Sequence, residues 1–227
     1  MYNIVLVGCG ATGSNLATFV SQLAISSKKI NEIILIDGDE VEAKNFRNQK
    51  FTQKDIGKNK ANVLSNRFSK LGINISYIDK YLRSEEELIN IIKSFKKDDT
   101  TILVGAVDNN KARRYLNDTF NSDEVPELIY IDTGNGDVNR CGQTVIGAKT
   151  NNKVIKPPVA EYYPQILEDE IEKPIDYKCS NIEDHPQNLA TNILSATTTF
   201  LMINNIISLG KVGRVFARFD ADLITIK

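Results

Sequence analysis

The chain has 227 residues, with 41% hydrophobic and 25% charged side chains, which is an ordinary globular balance that excludes global disorder and a fibrous repeat. Its 28 Lys and Arg against 29 Asp and Glu give a net charge of −1, so there is no general attraction to nucleic acid or to an anionic membrane. Three separated cysteines and one histidine exclude a disulfide framework, a four-cysteine zinc site and a His-rich metal site. No signal peptide is visible, so we predict a cytoplasmic protein with reduced thiols and with neither nucleic acid nor a membrane as partner.

Short apolar runs alternate with helical patterns through the first 150 residues. The run 3–7 ends at Gly8, as is typical of a parallel strand buried on both faces, and the apolar spacing over 14–25 is helical. The same patterns predict strands at 33–36, 74–78, 101–107, 128–131 and 143–147 and helices at 55–71, 85–95 and 110–120. This alternation predicts a Rossmann-like α/β fold, a doubly wound and mostly parallel sheet that binds its ligand beyond the carboxyl ends of the strands.

The composition changes near residue 151. Four of the six prolines and several acidic residues fall within 151–180, a combination that disfavours a regular core element. We therefore predict a crossing segment over 151–186, a long apolar helix over 187–209 and a terminal strand pair over 214–227, in a single domain of 1–227 whose core is 1–150. The long helix has too many Asn and Thr for a membrane span, so a buried core helix or a dimer interface is expected.

A glycine-rich turn joins the first strand to the first helix. Gly8, Gly10 and Gly13 match G-x-G-x-x-G, in which the first glycine permits a tight turn, the second lets backbone approach a phosphate and the third lets helix and strand pack closely. The amides of this loop and of Ala11 and Thr12 would meet the phosphate, to which Ser14 adds a hydroxyl. A plain glycine turn is the alternative.

Acidic and basic residues follow the later strands. Asp37 ends the second strand, where a carboxylate accepts the ribose hydroxyls of NAD or ATP. Lys60 is a candidate to neutralise phosphate charge, and Asp108, after the fourth strand, is a candidate to hold Mg²⁺. A dehydrogenase has no use for these groups, although each taken singly is more often a solvated surface charge.

The spacing of these residues resembles the ThiF/MoeB/HesA superfamily, relatives of the ubiquitin-activating enzymes. The usual signature is a glycine-rich loop ending in G-S, then D-x-D-x-V-x-x-x-N-x-x-R-Q-x-F, then D-I-G-x-x-K, and then a D-N pair with an Arg five residues on. The matching positions here are the loop Gly8 to Ser14, Asp37, Asp39, Val41, Asn45, Gln49, Phe51, Asp55, Ile56, Gly57, Lys60, Asp108, Asn109 and Arg113. The second half looks, more loosely, like the ThiF-type proteins of the plasmid-borne PRTRC class, because a Cys-Ser pair, Cys179-Ser180, precedes the long helix.

The resemblance implies that the protein binds Mg-ATP and adenylates the C-terminal carboxylate of a ubiquitin-like or sulfur-carrier protein with a flexible C-terminus. By matched position Asp37 would hold the ribose, Lys60 the phosphates and Asp108 the Mg²⁺. The rest of the nucleotide site would include Asp39, Asn45, Asn48, Gln49, Asn109 and Arg113. Many members of the superfamily then form a thioester through a cysteine on the crossing segment, which here would be Cys179. A homodimer is expected as well.

The sequence departs from the signature at one position expected to take part in the chemistry and in its lack of the zinc-binding cysteines. Asn48 stands where the superfamily usually has Arg, and the adjacent Arg47 is the candidate replacement although its side chain should start in another direction. The zinc cysteines common among relatives are missing.

The alternatives to an adenylating enzyme are a catalytically reduced nucleotide-binding scaffold and an NAD-dependent oxidoreductase. For Cys179 the alternatives are a nucleophile, activated by the adjacent cation Lys178, and a small buried hydrophobe.

Overall fold

The computed structural model describes residues 1–136, 140–168 and 188–227. Its strands are β1 (Tyr2–Val7), β2 (Ile30–Ile36), β3 (Ile75–Ile78), β4 (Thr100–Gly105), β5 (Leu128–Asn135), β6 (Cys141–Thr150), β7 (Lys153–Lys156), β8 (Phe216–Asp220) and β9 (Thr225–Ile226). Its helices are α1 (Ala11–Ser26), α2 (Lys60–Ser69), α3 (Glu85–Ser94), α4 (Asn110–Asn121), α5 (Val159–Tyr162) and α6 (Leu189–Leu209), with 3₁₀ turns at Ala43–Arg47, Gln53–Asp55 and Pro164–Leu167.

One sheet organises all of these elements, in the order β3-β2-β1-β4-β5-β6-β8-β9, with β7 paired to β6. The five strands β1 to β5 are parallel to their neighbours, whereas β6, β7, β8 and β9 extend the sheet in antiparallel pairs. The predicted Rossmann-like α/β fold is thereby confirmed. The chain order reverses between β1 and β4, so the crevice where such sheets bind ligands lies beyond the ends of these two strands.

Both faces of the sheet are covered by helices. Alternate residues of β1 point to opposite sides: Ile4 and Leu6 join the core beneath α1, α2 and α6, whereas Val5 and Val7 join the core beneath α3 and α4. These side chains are at most 4% exposed, which explains why the sequence shows a continuous apolar run rather than an alternating one.

The long helix α6 confirms the expectation of a core helix over the described part of the predicted range. It packs on α1 and on β5, β6 and β8, and it buries a polar stripe against the sheet. Thr133 pairs with Ser195 at 2.6 Å and Thr144 pairs with Thr198 at 2.9 Å, so these four hydroxyls satisfy one another. Within the described residues α6 is the one helix long and apolar enough to cross a membrane, and half of its most apolar stretch is buried inside the protein.

Two sequence predictions were wrong in detail. The helix expected from residue 55 begins at Lys60, because Thr52 and Asp55 form a capping box on a separate 3₁₀ turn and Asn59 caps α2. The start of the crossing segment, expected to lack regular structure, holds β7 and α5. Asn151 and Asn152 adopt left-handed conformations, with φ of 50° and 58°, and form a two-residue hairpin turn between β6 and β7.

The glycine loop yields a matched pair of stability predictions. A Cβ at position 13 would overlap the carbonyl oxygen of Gly8, whereas a Cβ at position 10 would meet nothing within 4 Å. We expect Gly13→Ala to lower the melting temperature by about 10 °C or more, since a backbone overlap at the strand–helix packing contact is among the most destabilising changes. Gly10→Ala should shift it by no more than about 3 °C. Thermal unfolding followed by circular dichroism measures both, and equal shifts would contradict this account of the loop.

Candidate functional site

The glycine loop forms a tight turn whose outer side is open. Gly8 has φ of +94°, and a Cβ there would lie 2.8 Å from the carbonyl carbon of Ala106. Gly10 is the N-cap of α1 and makes no side-chain cap, and no acidic residue stands in the first turn of the helix. The first amides of α1 therefore present unpaired donors and a partial positive charge in a place that accepts an anion.

The side chains of the first turn of α1, which follows Gly10, are held inside the fold. Ala11 is 7% exposed and Thr12 is 8% exposed, so they contribute backbone rather than extended side chains. Ser14 is fully buried, and its hydroxyl accepts a hydrogen bond of 3.1 Å from the amide of Lys50. This hydroxyl thereby anchors the segment 43–51, and it keeps its own O–H as a donor for the predicted phosphate contact.

The Asp37 carboxylate links the glycine loop to the turn that follows β2. One oxygen accepts a hydrogen bond from the amide of Cys9 at 2.5 Å, and the other accepts one from the amide of Asp39 at 2.8 Å. Burial raises the pKa of Asp37, and these backbone bonds and the charge of Lys60 oppose the shift. A carboxylate has about four acceptor positions, so two remain for a ligand.

Sequence reasoning missed Asn59, which fixes the same turn from the other side. Its amide nitrogen donates to the carbonyl oxygens of Asp37 at 2.7 Å and of Asp39 at 3.2 Å, while its amide oxygen accepts from the amide of Asn62. The available signal was an Asn directly before an apolar helical pattern, which is a preferred helix N-cap.

The predicted residues Lys60 and Asp39 are brought together. The Lys60 ammonium lies 2.7 Å from the Asp39 carboxylate, and the two side chains are 7% and 46% exposed. Burial raises the pKa of Asp39, but hydrogen bonds from Lys60 and Tyr81 outweigh it and lower the pKa overall. The positive charge of Lys60 also acts on Asp37 and on the Cys9 thiol, so it reaches the glycine loop.

The segment 43–51 buries the polar groups of two of its predicted site residues and leaves the other two more exposed. Asn45 is 7% exposed, and its side-chain oxygen accepts from the amide of Glu42 at 2.7 Å. The side-chain oxygen of Gln49 is buried and has no hydrogen-bond partner within the described residues, so it retains an acceptor for a ligand. Asn48 is half-buried and Arg47 is exposed.

The loop after β4 carries the remaining predicted residues. Asp108 is exposed, whereas Asn109 caps α4 by accepting from the amide of Ala112 at 2.8 Å. Arg113 donates to the carbonyl oxygen of Val107 at 3.0 Å and lies 3.5 Å from the carboxylate of Asp132, a buried residue on β5 that sequence reasoning missed. Burial raises the pKa of Asp132, and the guanidinium of Arg113 and the hydroxyl of Tyr130 oppose this. Arg113 therefore braces the turn that holds Asp108.

The described residues contain no group of three His, Cys, Asp or Glu side chains that would hold a metal by itself. The exposed Asp108 fits Mg²⁺, which commonly takes one or two carboxylates together with substrate phosphates and waters.

The cysteines differ in position. Cys9 is fully buried, and burial raises the pKa of its thiol well above the usual range, so it remains a neutral thiol in the loop. Cys141 is half-buried at the start of β6. Cys179 lies outside the described residues.

Comparison with known proteins gives a consistent family and fold. The family model described as "ThiF family" matches residues 1–199. The search of curated proteins finds no match. Two solved structures of E. coli MccB match with TM-scores of 0.66: one with ATP, at 21% identity, and one with AMPCPP and MccA, at 20% identity. A structure of PaaA matches with a TM-score of 0.68 at 16% identity.

These structural matches cover 99% to 100% of this chain but 62% to 63% of the longer proteins. At these identities they show a shared fold. Because the family model covers most of the chain, from β1 into α6, this chain belongs to the ThiF family.

Proposed function

We propose that this protein is an ATP-dependent adenylyltransferase that activates the C-terminal carboxylate of a small ubiquitin-like or sulfur-carrier protein. The observation that carries the proposal is Lys60, a buried cation beside an open glycine loop. A lysine at 6% exposure needs a partner, which Asp39 supplies, and the charge of Lys60 also acts on Asp37 and on the loop. A dinucleotide has no terminal phosphates that would require this cation.

Each side chain has one task in the proposed reaction. The α1 amides receive the phosphates, Asp37 accepts the ribose hydroxyls, and Lys60 neutralises charge on the phosphates as pyrophosphate leaves. Asp108 and the phosphates would hold Mg²⁺, which supplies Lewis-acid stabilisation of that charge. The exposed Arg47 is the candidate for the Arg that Asn48 replaces.

The chemistry follows from this arrangement. A carboxylate oxygen of the partner attacks the α-phosphorus, a new P–O bond forms, and the bond to the bridging oxygen breaks. Pyrophosphate carries away the electron pair, and the products are an acyl-adenylate and pyrophosphate. A later thioester through Cys179 is proposed from the family resemblance alone.

The related structures support a nucleotide and a peptide or small-protein partner. MccB has been crystallised with ATP, and with AMPCPP together with MccA. A carboxylate on a flexible C-terminus is the part of a small protein that reaches a crevice at the end of a sheet. We place the activity in the cytoplasm, where thiols stay reduced.

The first functional prediction concerns ligand choice. Calorimetry should detect binding of Mg-ATP and a much weaker response to NAD. Lys60→Ala should weaken ATP binding by roughly 10- to 100-fold, because it removes a charge-assisted contact to phosphate. Lys58→Ala is the matched control, since Lys58 is exposed and donates to the carbonyl oxygen of Lys54. Tight NAD binding without a response to ATP would refute the proposal.

The second prediction separates binding from chemistry. Asp108→Ala should abolish exchange between ATP and pyrophosphate while it weakens ATP binding far less, because the metal carboxylate acts most on charge that builds up in the transition state. Asp118→Ala removes an exposed carboxylate from the same region and should leave exchange unchanged. Exchange by Asp108→Ala near the wild-type rate would remove Asp108 from the mechanism. Binding of ATP by the wild type without exchange in the presence of the carboxylate-bearing partner protein would favour the nucleotide-binding scaffold.

The third prediction concerns assembly. The outward face of α6 exposes Leu189, Ile193 and Leu201, which are 47%, 37% and 44% exposed. We propose that this face forms a two-fold homodimer, the commonest closed assembly. Light scattering should report a dimer at micromolar concentration, and Leu201→Glu should convert it to a monomer. Asn90→Glu, at an exposed polar position of α3 on the opposite face of the sheet, should not. A monomeric wild type would contradict the proposal.

A further inference from the structure

Tyr81 is an exposed aromatic residue that is nevertheless held in place. It follows β3 and is 66% exposed. A Cβ added at Gly38 would lie 2.5 to 2.7 Å from three atoms of the Tyr81 ring, so the ring packs directly on the Gly38 backbone. The Tyr81 hydroxyl donates a hydrogen bond to the Asp39 carboxylate, the same carboxylate that pairs with Lys60.

These contacts leave a flat apolar surface available. One side of the ring is covered by Gly38, and the hydroxyl is tied to Asp39, while two thirds of the residue still faces solvent. Hydrogen bonding to Asp39 and burial raise the pKa of Tyr81 to about 12, so the hydroxyl remains a donor at neutral pH. An exposed ring with a fixed orientation loses little freedom when another ring stacks on it.

The order of the strands matches the order of groups in a nucleotide. The phosphate-type loop follows β1, Asp37 follows β2 and Tyr81 follows β3, and these three strands are neighbours in the sheet. Adjacent strands are about 4.8 Å apart, so the loop, the carboxylate and the ring form a row on the scale of phosphate, ribose and base.

We propose that the Tyr81 ring is the stacking platform for the base of the nucleotide and favours purine over pyrimidine nucleotides. The inference rests on the proposed function, because it takes Asp37 as the group that holds the ribose. A purine overlaps a phenol ring over a larger area than a pyrimidine does, and stacking is otherwise tolerant of base identity. The platform therefore favours ATP and GTP over CTP without distinguishing strongly between the two purines.

The shared carboxylate is the alternative route by which a substitution of Tyr81 would act. Asp39 is held by Tyr81 on one side and by Lys60 on the other, so the position of the ring and the position of the phosphate cation depend on one side chain. Tyr81→Phe keeps the ring but loses this hydrogen bond, whereas Tyr81→Ala loses both. The two variants separate stacking from the positioning of Asp39.

The test is calorimetric titration of the wild type and both variants with Mg-ATP, Mg-CTP and tripolyphosphate. Tyr81→Ala should weaken ATP binding about tenfold or more, leave tripolyphosphate binding within about twofold of the wild type, and abolish the preference of ATP over CTP. Tyr81→Phe should stay within about threefold of the wild type for all ligands. Tyr77→Ala is the matched control, since Tyr77 is 39% exposed on β3 and its hydroxyl bonds to Asn62.

Several outcomes would overturn the inference. If Tyr81→Ala binds ATP as the wild type does, the ring is not a platform. Equal losses of ATP and tripolyphosphate, or equal losses in Tyr81→Phe and Tyr81→Ala, would mean that Tyr81 acts through Asp39 instead. These failures leave the proposed function intact as long as the wild type binds ATP; a wild type that does not bind ATP overturns both.

Discussion

The candidate site depends on the bonds between the Asp37 carboxylate and the backbone. One oxygen receives the amide of Cys9 in the loop after β1, and the other receives the amide of Asp39 in the turn after β2. A charged carboxylate makes stronger hydrogen bonds to backbone amides than a neutral acceptor does. The Asp37 carboxylate therefore connects the two loops that follow β1 and β2 at the same edge of the sheet. The glycine loop keeps its shape because this brace and the contact of Gly13 with Gly8 act on it from two sides.

The charges around this brace form one connected cluster. Asn59 holds the carbonyl groups of Asp37 and Asp39, Lys60 neutralises Asp39, and Tyr81 completes the bonding of that carboxylate. Lys60 is nearly buried, so the loss of Asp39 would leave an uncompensated buried cation. The ion pair offsets part of the desolvation penalty of the Lys60 ammonium and so allows this charge to lie beside the loop. The same pair that stabilises the structure without ligand is therefore positioned to act on a phosphate.

The long helix α6 buries polar and apolar side chains together. Its buried side carries Ser195, whose hydroxyl pairs with that of Thr133, and Thr198 and Thr199, whose hydroxyls pair with that of Thr144. The same side also buries isoleucine side chains, while other leucine and isoleucine side chains of the helix reach the surface. Buried hydroxyls tolerate this position because each finds a partner across the helix–sheet contact. The exposed leucine and isoleucine side chains of this helix are the observation behind the proposed assembly through its outward face.

The sequence by itself determined the alternating elements, the parallel core of the sheet and the residues at the strand ends, because buried parallel strands appear as continuous apolar runs and glycine turns have a fixed spacing. It did not reveal Asn59, Tyr81 or Asp132, since their roles arise from contacts with Asp39 and Arg113 across strands that are distant in sequence. It placed Ser14 beside the glycine loop, and the tertiary structure adds that the Ser14 hydroxyl accepts a hydrogen bond from the amide of Lys50. A motif specifies which chemical groups arrive at the sheet edge, but which of them remain free for a ligand is decided by packing, because buried polar groups must first satisfy one another.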